Sequence, residues 1–219
     1  MLARVLSCAT VGLDGALVEC EVDVSPSQQP SMVVVGLPDA AVQESRERVR
    51  SAIRNSGSRF PFGRVTVNLA PADLRKAGPA YDLPIALGVL IASDQLLADL
   101  TDAVVIGELS LDGSVRHTQG LLPMVALAQS RGIRTAYVPF DDADEAALVD
   151  GICVIPVDSL SGLVKHLTGV AVIPQYHGVP LTDDEDDQPI TDFAVIRGQE
   201  HVKRALEIAA SGAHNVLML

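Results

Sequence analysis

Tryptophan is absent from the 219-residue chain, and aromatic residues together supply only 3% of it. Proteins that hold single-stranded bases stack them on aromatic rings, so few stacking platforms are on offer. The three cysteines, Cys8, Cys20 and Cys153, form no C-x-x-C pair and leave one unpaired, as expected of buried thiols in a reducing compartment. Long apolar runs are missing too. The longest, Leu83 to Ala92, has ten residues and contains Pro84 and Gly88, well short of the roughly 20 that a spanning helix needs. Met1-Leu2-Ala3-Arg4 opens no basic stretch followed by a long apolar one, so no secretory signal is visible. The chain reads as soluble and cytoplasmic, with no membrane partner.

Positive charge is scarce: 16 Lys and Arg face 28 Asp and Glu, a net charge of -12. Taken alone, that argues against a nucleic-acid binder held by bulk charge. The distribution says more than the average. Arg46, Arg48, Arg50, Arg54, Arg59, Arg64, Arg75 and Lys76 lie together with only Glu47 and Asp73 among them, a segment of net +6 that leaves -18 for the remainder. Hydrophobic residues make up 48% and the mean hydropathy is +0.29, enough to fill a sizeable core and to exclude a disordered chain. The length suggests one large domain, or one domain and part of another.

The patterning points to α/β architecture. Leu17, Glu19, Glu21 and Asp23 alternate with Val18, Cys20, Val22 and Val24, the period of a half-buried strand with one acidic face; a turn at Gly12–Gly15 makes it the second arm of a hairpin. Met32–Val35 reads as an apolar strand. Asp39 is the natural N-cap and Gly57 the natural stop of a helix whose apolar face holds Val42, Val49 and Ile53, with Arg46, Arg50 and Arg54 along one flank. That flank is either a solvated face with pairs such as Glu44–Arg48 or a row of phosphate contacts. Arg64–Ala70 alternates as a strand, and Asp82 is expected to cap an almost wholly buried helix, Leu83–Ser93. Val104–Glu108 and Ser114–His117 flank Asp112-Gly113 as a hairpin. From Gly120, helices at 120–131, 142–149 and 159–167 alternate with strands at 135–138 and 152–156, implying parallel strands with crossover helices. Residues 174–193, with Pro174, Gly178, Pro180, Pro189 and five consecutive acids from Asp183 to Asp187, read as a linker. An amphipathic helix to about Ala210 and a strand at 215–219 follow, the expected beginning of a second domain that the chain does not complete.

At Asp192–Glu200 and Lys203–Asn215 the sequence resembles the opening of the ATPase module of the magnesium-chelatase-like ComM/YifB family of AAA+ ATPases. Gly36-Leu37-Pro38-Asp39, the stretch Val42–Ile53 and Asn68–Asp73 carry the same resemblance. It implies a first domain, residues 1–173, similar to the proteolytic domain of Lon, a mixed sheet with crossover helices of the ribosomal-protein-S5-domain-2-like kind. After the linker, 194–219 would begin the P-loop module, ending just before its phosphate-binding loop. The family resemblance implies ATP and Mg2+ in the full-length protein, with Ile196 and Gly198 near the adenine, but no cofactor and no ATPase activity for this chain.

A Lon-type peptidase uses a serine whose proton is taken by a lysine held neutral in an apolar pocket. The positions matching those residues are Ala80, in Lys76–Asp82, and Leu122, after Gln119-Gly120-Leu121. Alanine supplies no nucleophile and leucine accepts no proton. Ser110 and Ser114 beside the hairpin turn and Lys76 near the helix entry are candidate substitutes, read instead as turn serines and a surface lysine, and no metal-ligand spacing emerges from the five histidines. The resemblance therefore implies a non-proteolytic accessory domain of a hexameric, ATP-driven DNA branch-migration enzyme of homologous recombination and natural transformation. The partners would be other copies of itself and double-stranded or branched DNA, gripped through Arg46, Arg48, Arg50, Arg54, Arg59, Arg64, Arg75 and Lys76. A pure assembly module, its arginines meeting acidic faces such as Glu19, Glu21 and Asp23 on neighbouring subunits, remains the alternative, with a peptidase of unrecognised site as a third.

Overall fold

The computed structural model describes residues 2–12, 14–74, 76, 78–178 and 192–218. The chain divides into two compact units, Met1–Val179 and Pro180–Leu219. In the first, β1 (Leu2–Val11) and β2 (Asp14–Ser25) form the expected hairpin, in unbroken register from Leu2 opposite Asp23 to Val11 opposite Asp14. β3 (Ser31–Val35), α1 (Ala40–Asn55), β4 (Arg64–Ala70) and α2 (Asp82–Ala92) follow. Then come β5 (Ala103–Val105), the short β6 (Glu108–Leu109) and β7 (Val115–Arg116), and α3 (Leu121–Ser130). β8 (Thr135–Pro139), α4 (Ala143–Ala146), β9 (Cys153–Val157) and α5 (Leu160–Leu167) complete the unit.

Seven strands make one sheet in the order β3-β4-β2-β1-β5-β8-β9. The β1–β2 and β2–β4 pairs are antiparallel, and the other four pairs are parallel. The mixed first half and parallel second half match the sequence pattern. Side chains alternate between two cores. Ala103, Val105, Tyr137, Ile155 and Val157 join the cluster that includes α1, α2 and α5, whereas Val104, Ala136, Val138 and Val154 join the one beneath α3 and α4. Strands covered on both faces read as continuous apolar runs, and those covered on one face alternate. This explains why β2 shows an acidic face and β8 and β9 do not.

Four local expectations change. The Val104 segment is not a hairpin arm but β5, inserted between β1 and β8; the hairpin begins at Glu108, where β6 pairs with β7. The helix expected over 142–149 contracts to the four residues of α4, because Leu148 and Val149 donate three residues back to Glu145 and Ala146 and tighten the last turn. Asp82 is not the cap of α2. It is the first helical residue, after a Tyr81 that makes no side-chain capping bond. In the second unit, α6 (Glu200–Ser211) forms as expected, with Lys203–Glu200 and Arg204–Glu207 pairs at 3.0 Å. The segment 214–218 has no strand ladder among the described residues, as a strand without a neighbour to bond cannot form one. Most of the expected linker, 179–191, lies outside the described residues.

Ten of the eleven residues of α2 are buried, so this helix is held by tertiary packing and not by an amphipathic stripe. At Gly88 a Cβ would sit 2.5 Å from Cγ2 of Val22; the missing side chain lets α2 lie directly on β2. α1 is placed by Asp39, whose Oδ1 accepts from the Val42 amide at 2.8 Å, and by Arg48. The Arg48 guanidinium forks onto the wholly buried Asp82 carboxylate, Nε to Oδ2 at 2.6 Å and Nη2 to Oδ1 at 3.1 Å. Asp82 also accepts from the Leu109 amide at 3.2 Å, so one carboxylate joins α1, α2 and β6. Burial pushes the Asp82 carboxyl up to about 6 while the Arg48 contact pulls it down. No helix among the described residues is long and apolar enough to cross a membrane.

Removing one partner of a buried ion pair strands the other. Arg48→Ala is expected to destabilise the first unit by about 3 kcal/mol or more in urea unfolding, whereas the apolar double replacement Arg48→Met with Asp82→Leu recovers a large part of that loss. Equal destabilisation by the single and double variants would show that the pair is not what holds α1 to α2.

Candidate nucleic-acid interface and the degenerate cleft

The +6 segment folds into α1, the connection 56–63, β4 and the turn after it. The structure sorts its cations by burial. Arg46, Arg54, Arg59 and Arg64 are exposed, and the Arg46 Nε donates to the Gln43 carbonyl at 2.9 Å. Arg50 is half-buried, with its guanidinium carbon 5.0 Å from the centre of the Phe60 ring. Arg48 is turned inward on Asp82, with the expected Glu44 pair reduced to a 4.0 Å contact. Lys76 is fully buried, donates to the Pro71 carbonyl, and has its ammonium held below its usual value by burial. Arg48 and Lys76 are therefore corrected: both were assigned to phosphate, and neither has a charge free to meet it. Arg75 lies outside the described residues. The cations of this segment left exposed are Arg46, Arg54, Arg59 and Arg64, with Arg50 half-buried.

The acidic strand face proposed as a partner in assembly is partly occupied. Glu19 and Glu21 each lie 3.4 Å from Arg4 Nε, and Glu21 also accepts from Asn68 at 2.9 Å.

Ala80 is buried in the turn before α2 and lines a cleft of about 480 Å3 with Thr10, Glu108, His117, Thr118, Gln119 and Met124. Leu122, exposed on the first turn of α3, lines an adjoining depression that shares Thr10 and Gln119. The two positions matched to the peptidase dyad thus border neighbouring hollows, as a methyl and an isobutyl group that can do no acyl transfer. The substitutes are committed elsewhere. Ser110 Oγ accepts from Arg116, Ser114 Oγ donates to Asp112 at 2.7 Å, and Lys76 is buried against Pro71.

The cleft holds one arrangement that the spacing of residues does not reveal. His117 Nδ1 is hydrogen-bonded to the buried Asp142 carboxylate, whose second oxygen accepts from the Thr118 amide at 2.8 Å. That hydrogen bond raises the His117 imidazole above its usual value, with the charge of Asp142 adding to it. The Thr118 hydroxyl is buried without a hydrogen-bond partner among the described residues. The two residues are 25 positions apart in sequence, one just after β7 and the other ending a 3-10 segment, where no periodicity signals them. Among the described residues no group of three potential ligands could hold a metal.

In the second unit, Ile196 and Gly198 are exposed between a 3-10 turn (Phe193–Val195) and α6. Gly198 has φ +74°, a left-handed value that favours glycine.

The model of the family described as subunit ChlI of Mg-chelatase matches residues 20–142, and that of magnesium chelatase, subunit ChlI, matches residues 192–219. A protein of Mycobacterium tuberculosis is 42% identical over 218 residues, covering 99% of this chain and 42% of its own length. The competence protein ComM of Haemophilus influenzae is 40% identical over 221 residues, covering 100% of this chain and 43% of its own. Lon protease 2 of Bacillus subtilis is 24% identical over 170 residues, 70% of this chain and 30% of the protease. The chain thus spans less than half the length of the curated relatives it matches.

The His117 contact has a measurable consequence. Its imidazole is expected to titrate above the free value of about 6.5 in NMR, and Asp142→Asn to bring the midpoint down. Because the folded value is raised, the stability this contact contributes is fully present below pH of about 6.5 and is lost as pH rises through the folded midpoint. A midpoint that Asp142→Asn leaves in place would rule out the carboxylate as its cause.

Proposed function

Because the chain belongs to the ChlI family of magnesium-chelatase proteins, and resembles its ComM/YifB branch, we propose that it is a non-proteolytic, Lon-like accessory region of an ATP-driven DNA branch-migration enzyme. Its task in homologous recombination and natural transformation is to contact the DNA backbone and to help assemble a hexameric ring in the cytoplasm. The likeness to ComM supports the setting. The observation that carries the DNA contact is the exposed group Arg46, Arg54, Arg59 and Arg64 on α1, the following connection and β4, inside a chain of net charge -12. Exposed guanidiniums in one stretch, without a carboxylate partner among the described residues, match a polyphosphate backbone, which is neutralised without regard to sequence.

The domain plan that accompanies this reading is an accessory domain at 1–173, a linker at 174–193 and the beginning of the ATPase module at 194–219. The residues present do not themselves fit a nucleotide. The sequence contains no G-x-x-x-x-G-K-[ST] loop, Ile196 and Gly198 are exposed, and no three-ligand metal group occurs among the described residues. ATP and Mg2+ belong, in this reading, to the remainder of the longer relatives. Proteolysis has no support from Ala80 and Leu122.

Binding should follow counterion release. With about four phosphates neutralised, raising salt from roughly 50 to 200 mM is expected to weaken duplex affinity about 100-fold. The Arg46→Ala/Arg54→Ala/Arg59→Ala/Arg64→Ala variant should lose most of both the affinity and the salt slope in fluorescence anisotropy. No binding at low salt, or unchanged binding by the variant, overturns the DNA contact. Salt-dependent ring formation without DNA affinity, seen in sedimentation, would leave assembly as the sole task.

A further inference from the structure

The same stretch of chain carries an aromatic ring that charge alone does not account for. Two of the four phenylalanines lie in the connection between α1 and β4, and their surroundings differ. Phe60 is half-buried against the main core and lies under the Arg50 guanidinium. Phe62 is 77% exposed. The exposure is not that of a loose loop. Arg59 is clamped to Gln95 in both directions, its amide donating to Oε1 at 2.8 Å and its carbonyl accepting from Nε2 at 2.7 Å. Gly63 accepts from the Ser31 amide at 3.1 Å. It sits so close to β2 that a Cβ there would meet the Ser25 carbonyl at 2.5 Å. Pro61 restricts the chain between these anchors. A large apolar ring is thereby fixed in water, between exposed Arg59 and exposed Arg64 and after exposed Arg54.

We propose that Phe62 is a base-stacking residue: a strand whose phosphates lie along Arg54, Arg59 and Arg64 sets an unpaired base on its ring, so the face prefers single-stranded or junction DNA to intact duplex. The inference rests on the DNA-contact reading above and specifies the form of DNA. In a duplex both faces of each base are already covered by neighbours, and exposing one costs a few kcal/mol per step. In a single strand or at a branch point a face is free, and stacking on an aromatic ring adds to backbone attraction without selecting sequence. The low aromatic content is consistent with one ring per chain receiving one base, in place of a continuous channel.

The 219-residue chain is titrated at low salt with a labelled oligothymidylate and with a blunt duplex. Phe62→Ala is expected to weaken single-strand binding about tenfold and to leave duplex binding nearly unchanged. Phe62→Leu, which keeps the apolar bulk and removes the π face, should behave like Phe62→Ala, and Phe62→Tyr should restore binding. Single-strand binding that survives Phe62→Ala, or that Phe62→Leu preserves, overturns the stacking role while the arginine face stands. A wild-type chain that binds neither DNA sinks both. Loss of self-association without loss of DNA binding in Phe62→Ala assigns the ring to a protein interface and also overturns the proposal.

Discussion

The salt bridge between Arg48 and Asp82 is the contact on which the arrangement of the first unit turns. One guanidinium on α1 and one carboxylate at the start of α2, with the Leu109 amide as third partner, lock together two helices and the small hairpin. Charges removed from water are costly unless each finds a partner, and that cost makes the pairing specific: α1 cannot turn about its axis without stranding Asp82. The orientation of α1 in turn decides which of its other arginines reach solvent. The inward cation thus sets the outward ones.

Two surfaces of different chemistry arise from this frame. The stretch from α1 to β4 exposes Arg46, Arg54, Arg59 and Arg64. The cleft at Ala80 is concave and mixed in polarity, with Glu108 and His117, the partner of Asp142, on its walls. Asp39 connects the two regions, since one carboxylate oxygen caps α1 and the other accepts from the Gly78 amide at 3.2 Å on the cleft border. A hollow in a fold does not by itself fix its chemistry, so function must be argued from residues and not from architecture.

Much of the fold was legible in the sequence because its signals are local. Period-two alternation found β2 and β4, the Gly12–Gly15 turn implied β1, the Asp39 cap found α1, an apolar run found α2, and the regular exchange of helices and strands after Gly120 found β8 and β9. Ala80 and Leu122 were matched to a dyad only through the family resemblance; residue type then says that neither can do acyl transfer. The site itself was less so. Arg48 has the spacing of a helix-flank cation, and its partner lies 34 positions away. Lys76 is a charge that burial removes from the surface, against the usual habit of lysine. The count of aromatic residues argued against stacking, but a count cannot say where a ring is held. β5 was mistaken for a hairpin arm because three apolar residues cannot reveal which strand they bond.

Gly88 has a mechanical implication. Where a helix rests on a sheet through bulky side chains, it has room to roll or slip by small rotamer changes. Here the α2 backbone meets Val22 with no side chain between them, and nearly every other position of the helix is enclosed. The layer has almost no slack. A load applied at the arginine-bearing helix would travel through α2 to the sheet as through a strut, displacing the unit as a body instead of being absorbed inside it.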